Sequence, residues 1–174
     1  MLSYSPDSDS CLDAAPRVGD RVTGLRPPTD EALRRPALQV TLFDRHLRED
    51  VARLFQLMDR LGTSALAAPQ AGLDLAIAAV SCHGVRVAVV NPVLYDVVAG
   101  VNISWETCLS APGRWLVARA TGVVVTGRDE RGRRRHLAVD GLPARCLQHA
   151  VDHVRGRLPV DRAITSSRPP SKSS

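Results

Sequence analysis

Aromatic side chains make up 3% of this 174-residue chain. A core must therefore be built from Val, Leu, Ala and Ile. No apolar run approaches the roughly 20 residues of a membrane-spanning helix. The opening MLSYSPDSDSCLDAAP is polar and acidic, without a basic n-region or an apolar h-region, so no secretory signal is expected. Cys11, Cys82, Cys108 and Cys146 are far apart and form no C-x-x-C, which excludes a compact disulfide framework. A reducing cytoplasm is the expected compartment. No internal repeat is visible. The length suits one domain with its own core, and a monomer is the default expectation.

Positive charge is not scarce. The formal net charge is +5, and Arg128, Arg131, Arg133, Arg134 and Arg135 fall within eight residues. Such a run can touch nucleic acid or a ribosome surface, here through Arg131–Arg135, or can be a solvated hairpin tip. No aromatic residue interleaves with it, which weakens the nucleic-acid case.

Residues 1–30 are rich in Ser, Pro, Asp and Gly without a period and read as a mostly disordered extension that settles onto the surface, if anywhere, near VTGLRPP. Residues 164–174 read as a polar tail, which leaves 31–163 as the folded body. FDRHLREDVARLFQLMDRLG places Leu47, Val51, Leu54, Phe55, Met58 and Leu61 at helical spacing. Asp44 is its expected N-cap and Gly62 its stop. LDLAIAAVSCHGVRVAVVNPVL reads as two strands around His83-Gly84, the second ended by Asn91-Pro92. A hairpin follows, with strands at 122–127 and 133–139 around Asp129-Glu130-Arg131-Gly132. LPARCLQHAVDHVRGRL is a second helix, with Leu142, Cys146, Leu147, Ala150, Val154 and Leu158 on its apolar stripe. The order predicts an α+β fold: antiparallel sheets around a central C-terminal helix that carries H-x-x-x-H.

That helix holds the most informative stretch, QHAVDH. His149 and His153 lie one turn apart on one face, the spacing of a metal-binding pair. In zinc proteases a Glu follows the first His and moves protons; here Ala150 stands in that place. Asp152 either orients a ligand or faces solvent. An H-x-x-x-H pair alone is a weak signal and needs a third donor. Cys108, in the polar WETCLSAPG, supplies one. One Cys and two His leave a fourth position open, the arrangement of a metal that activates water. GTSALAAPQAG adds small residues that let backbone approach a substrate closely. Its Gln70 amide is suited to donating to an oxyanion.

In this order the three stretches resemble the signature motifs of the peptide deformylase family. Thr63 to Gln70 align with G-x-G-x-A-A-x-Q, Glu106 to Ser110 with E-G-C-x-S, and Gln148 to His153 with Q-H-E-x-D-H. The resemblance spans about residues 31–162 and implies a deformylase-like fold. It implies one divalent ion, Fe2+ by family with Ni2+ or Zn2+ as substitutes, held by Cys108, His149 and His153. The implied reaction is hydrolysis of the N-formyl group from formyl-Met of nascent peptides. Gln70 and the backbone N–H of Leu109 would hold the oxyanion. Ala65 and Leu66 would border the substrate, and Arg114 would contact it.

The chain departs from the pattern at four places. Thr63 and Ala65 replace two glycines, Thr107 replaces the glycine before the metal-binding Cys, and Ala150 replaces the general-base Glu. A missing general base lowers the rate by about 10²- to 10⁴-fold. A Cβ at a glycine position with φ > 0 costs about 1 kcal/mol or more. Weak or lost deformylase activity is therefore expected. The alternatives are a metal-dependent amide hydrolase with another substrate and a non-catalytic peptide-binding homologue. The accompanying changes at 63, 65 and 107 point to natural divergence rather than one deliberate substitution. Retention of all three donors argues against a metal-free relic.

Overall fold

A computed structural model describes residues 22–167. Helix α1 spans Arg45–Leu61. The Asp44 side chain accepts from the Leu47 N–H at 3.0 Å, and Gly62 ends the helix at φ 63°, as the sequence predicts. Leu47, Val51, Leu54, Leu57 and Met58 form its buried face. Leu61 is left at the surface, and Phe55 lies under the Arg86 guanidinium.

Six strands form one antiparallel sheet in the order β1-β2-β3-β4-β5, with β6 paired to the first part of β4 on the same edge as β5. They are β1 Ala65–Ala67, β2 Ile77–Cys82, β3 Val85–Cys108, β4 Ala111–Arg128, β5 Arg134–Asp140 and β6 Ala163–Ser167. The turn at His83-Gly84 and the β4–β5 hairpin stand where the sequence puts them. Asn91-Pro92 does not end a strand. β3 continues to Cys108, with a register shift between Val90 and Val93. Asn91 adopts φ 53° at that shift. Its amide pairs with both the N–H and the carbonyl of Val40 at 2.8 Å, which holds the left-handed backbone in place.

Strand β2 explains the small-residue composition of IAAV. Alternate residues face opposite sides of a strand. Ile77 and Ala79 pack toward α1, whereas Ala78 and Val80 pack toward helix α2, Gly141–Val154. The strand is thus buried on both faces, and short side chains let both helices come close. α2 packs Ala150, Val151 and Val154 against Ala67, Ala76 and Ala78, and Leu147 against Val80, Val89 and Val125. The architecture is α+β, with the sheet around the C-terminal helix. Leu142 departs from the expected apolar stripe. It is exposed at the start of α2.

The N-terminal extension settles on the body at VTGLRPP, and the C-terminal segment differs from its compositional reading. Residues 22–30 lie against the body: Thr23 N–H donates to Ala71 O, and Arg26 N–H to Gln70 O. The Arg26 side chain pairs with Asp30 and Asp74. Backbone pairing outweighs the polar composition here. At the other end Ala163–Ser167 is an edge strand rather than tail, paired with β4 through Arg114–Val117. Residues 1–21 and 168–174, the remainder of the proposed extension and tail, lie outside the described residues. No helix among the described residues is long and apolar enough to cross a membrane.

Gly156 closes α2. It sits at φ 70°, and a Cβ there would lie 2.7 Å from the Arg34 carbonyl oxygen. Gly156→Ala combines left-handed strain with a backbone clash. Urea unfolding is expected to show a loss of about 2–4 kcal/mol at unchanged m-value.

Candidate metal centre

The end of β3 and one face of α2 build the site. Cys108 is the last residue of β3, before the tight Leu109-Ser110 turn into β4. His149 and His153 project from successive turns of α2, with ring centroids 4.9 Å apart. Cys108 Sγ lies 3.2 Å from His153 Nε2, which lies 3.2 Å from His149 Nε2. The three donor atoms fall within 4.8 Å of one another. The structure thus brings together the three residues that the motifs single out.

Their protonation is legible from the surroundings. Burial of His149 opposes its charge, but its hydrogen bonds to Cys108 and Glu106 prevail and raise its pKa to about 9. Burial and the neighbouring His149 charge push His153 down to about 3. His153 Nδ1 is buried without a hydrogen-bond partner among the described residues. The three donors, one soft sulfur and two imidazole nitrogens, converge on one small region. The donor set fits a divalent transition metal, which takes thiolate and neutral imidazole together.

Glu106, not Asp152, orients the first histidine. Its Oε2 lies 3.0 Å from His149 Nδ1. Burial alone would raise the Glu106 pKa, yet His149 and Arg119 hold it at about 2. A carboxylate there fixes the His149 tautomer and turns Nε2 toward the other donors. Asp152 faces away, paired with Arg119 and with Arg162 Nε at 2.7 Å. Arg119 binds Glu106 through two parallel hydrogen bonds, 2.9 and 3.0 Å, and reaches Asp152 on its other side. Arg145 also donates to Glu106, from inside the cleft wall. Neither arginine belongs to a motif considered above. The signal for Arg119 was a lone charge inside WLVARATGVVV, an apolar run in which a charge must be paired.

Gln70 is fixed from both ends. Its Oε1 accepts from Ala67 N–H at 2.9 Å, and its Nε2 donates to Ser110 Oγ at 3.0 Å and lies 3.9 Å from Cys108 Sγ. The amide donor therefore lies beside both Ser110 Oγ and Cys108 Sγ. A cleft of about 410 Å³ opens over these groups. Ala65, Leu109, Thr63, Trp105, Leu142 and Cys146 are in its wall. Burial and the adjacent Cys82 push the Cys146 thiol up to about 12, so it stays neutral.

Two of the candidate contact residues lie elsewhere. The Leu66 side chain is fully buried in the core beneath α1, which leaves only its backbone for a ligand. Arg114 stacks over Trp105 at 5.3 Å and is not among the cleft-lining residues. Ala150 is fully buried against Ala67, Ala76 and Ala78, under the strand whose N–H holds the Gln70 amide. The glycine replacements carry no left-handed strain. Thr63, Ala65 and Thr107 all have negative φ, the positive-φ non-glycine residues among the described residues being His83 and Asn91. Their effect is on cleft shape. Thr63, for example, spends its hydroxyl on the Ala65 carbonyl at 3.1 Å.

Three donors able to hold one divalent ion, with Cys108 and His149 lining a cleft and a fixed amide donor beside them, suit a mononuclear metallohydrolase type of site. The comparisons agree. The polypeptide deformylase family model matches residues 25–169. A peptide deformylase of Synechococcus sp. (strain CC9605) is 37% identical over 139 residues, 76% of this chain and 69% of that one. The crystal structure of the Synechococcus elongatus peptide deformylase in complex with actinonin superposes with TM-score 0.77. It is 34% identical, covering 87% of this chain and 86% of that one. The Thermotoga maritima peptide deformylase also gives TM-score 0.77, at 30% identity over 81% of this chain and 97% of the other. The chain belongs to the polypeptide deformylase family.

Proposed function

We propose that this protein binds one divalent metal ion through Cys108, His149 and His153 and takes N-formylated peptides into the cleft above it. The observation that carries the reading is the convergence of these three donors beside the Gln70 amide. When bound, the ion supplies Lewis-acid polarisation and an activated water; Fe2+ is the family's metal, with Ni2+ or Zn2+ as substitutes. Glu106 holds the His149 ring in place. Gln70 Nε2 and the backbone N–H of Leu109 serve as donors to the oxygen that gains charge as the formyl carbonyl is attacked. The leaving amine needs a proton, and Ala150 cannot supply one. Turnover is therefore slow, and the product is formate plus a free amino terminus.

Ala150 also favours a second reading: a protein that holds formylated peptides without hydrolysing them. The two readings share the cleft and differ in formate release. Metal analysis of the purified chain is expected to give about one divalent ion per chain, and Cys108→Ala almost none. With the metal in place, actinonin and an N-formyl-Met peptide are expected to bind by calorimetry, and an N-acetyl-Met peptide more weakly. Absence of metal from the parent chain would overturn both readings. Peptide binding without formate release would select the second.

A further inference from the structure

The β4–β5 hairpin lies outside the cleft and has no part in the chemistry above. We propose that its tip is a docking surface for structured RNA, engaged through backbone phosphates.

Arg128, Arg131, Arg133, Arg134 and Arg135 stand against two carboxylates, Asp129 and Glu130, in residues 128–135. Asp129 is buried and spent on the turn. Its Oδ1 accepts from the N–H groups of Arg131 and Arg133, each at 2.9 Å. The turn is rigid in consequence, and Gly132 packs on Phe43. Arg128 is held over the Phe43 ring and donates to Gly132 O at 2.7 Å. Arg131 and Arg135 keep only long contacts of 3.8 Å to Glu130 and Asp129. Arg133 and Arg134 are exposed and form no ion pair among the described residues.

The sheet register sharpens the point. Arg128 and Arg134 are cross-strand partners. Like charges directly opposite each other destabilise a sheet. A polyanion bound across the pair would turn this repulsion into attraction. Arginine forks match phosphate oxygens in pairs. The Phe43 ring is covered by Arg128, and no Phe, Tyr or Trp lies within residues 128–135 to stack unpaired bases. That favours the phosphate rows of a duplex over a single strand.

The placement leaves the cleft free. Phe43, against the tip, precedes the first turn of α1, whereas Leu61 and Gly62 at its other end border the cleft. Seventeen helical residues separate the two by about 25 Å. An RNA held at the tip would not cover the metal centre.

The test is fluorescence anisotropy of the full chain with a labelled RNA duplex of about 16 base pairs, the length of a double-stranded RNA footprint. Affinity is expected to fall linearly with salt on a logarithmic plot, with a slope of about −3. Arg133→Glu with Arg134→Glu should weaken binding at least tenfold and flatten the slope. Arg48→Glu with Arg60→Glu makes the same charge change on the exposed face of α1 and should stay within about twofold. Circular dichroism melting checks that both variants fold. Equal losses in the two variants would reduce the effect to net charge and overturn the proposal. So would a salt-independent affinity, or binding to phosphatidylserine vesicles but not to the duplex.

Discussion

Ala150→Glu is expected to raise formate release from an N-formyl-Met peptide by about 10²- to 10⁴-fold over the parent at equal metal content. The structure gives the position its meaning. Residue 150 follows a metal donor on α2 and packs against Ala67, whose N–H holds the Gln70 amide. A carboxylate on a longer side chain from that Cα has the oxyanion donor and the metal donors as neighbours. The site is fully buried, so the added atoms displace alanine contacts, and a cost of about 1–3 kcal/mol in stability is expected alongside the gain in rate. Formate release and metal stoichiometry are measured on both proteins. A fast revertant beside a slow parent means that only the proton relay was lost. Two slow proteins, each with its metal, mean that Thr63, Ala65 and Thr107 have reshaped the cleft for another ligand. A parent as fast as the revertant would sink the account of Ala150.

Arg119→Leu is expected to cost about 3–5 kcal/mol of stability, read from denaturant unfolding. Arg119 is 4% exposed and lies between two buried carboxylates, Glu106 and Asp152. Removing the guanidinium leaves one carboxylate without its bidentate partner and the other paired with Arg162. Desolvation makes such a loss far larger than that of a surface pair. Arg145 and His149 still face Glu106, so the site is weakened rather than erased. Arg119→Leu combined with Glu106→Gln is expected to recover part of the loss, because the uncompensated charge disappears with its partner. Strict additivity of the two changes would show that Arg119 and Glu106 do not act as a unit. The Glu106 link also has a pH signature. Its folded pKa is about 2 against an ordinary 4.5, so its stabilisation is complete above 4.5 and is lost as pH falls toward 2.

Much of the molecule follows from local pattern. The spacing of Leu47, Val51, Leu54 and Met58, with Asp44 before and Gly62 after, specifies α1 because one helix face and two end conformations depend on nearby residues alone. The hairpin at 129–132 is legible for the same reason. So are Cys108, His149 and His153, the group that could hold a metal ion, since their spacing and residue types are kept where Ala150 stands in place of the motif's Glu. Other features depend on distant partners. The continuation of β3 through Asn91-Pro92 rests on the clamp between Asn91 and Val40, 51 residues away. The pairing of residues 163–167 with β4 overrides their tail-like composition. The negative φ at Thr63, Ala65 and Thr107 makes the glycine losses a matter of cleft shape rather than strain.

By itself, then, the sequence determined the fold class, the family and the candidate donors Cys108, His149 and His153. These depend on periodicity, on local end signals and on the chemistry of short motifs. Only the tertiary structure decided that Glu106 rather than Asp152 steadies His149, that Arg119 binds both carboxylates, and that Leu66 and Arg114 stand outside the cleft. Those facts turn on which side chains of distant strands meet across α2. A charge buried between two elements takes its partner from their packing, and no spacing along the chain encodes that choice.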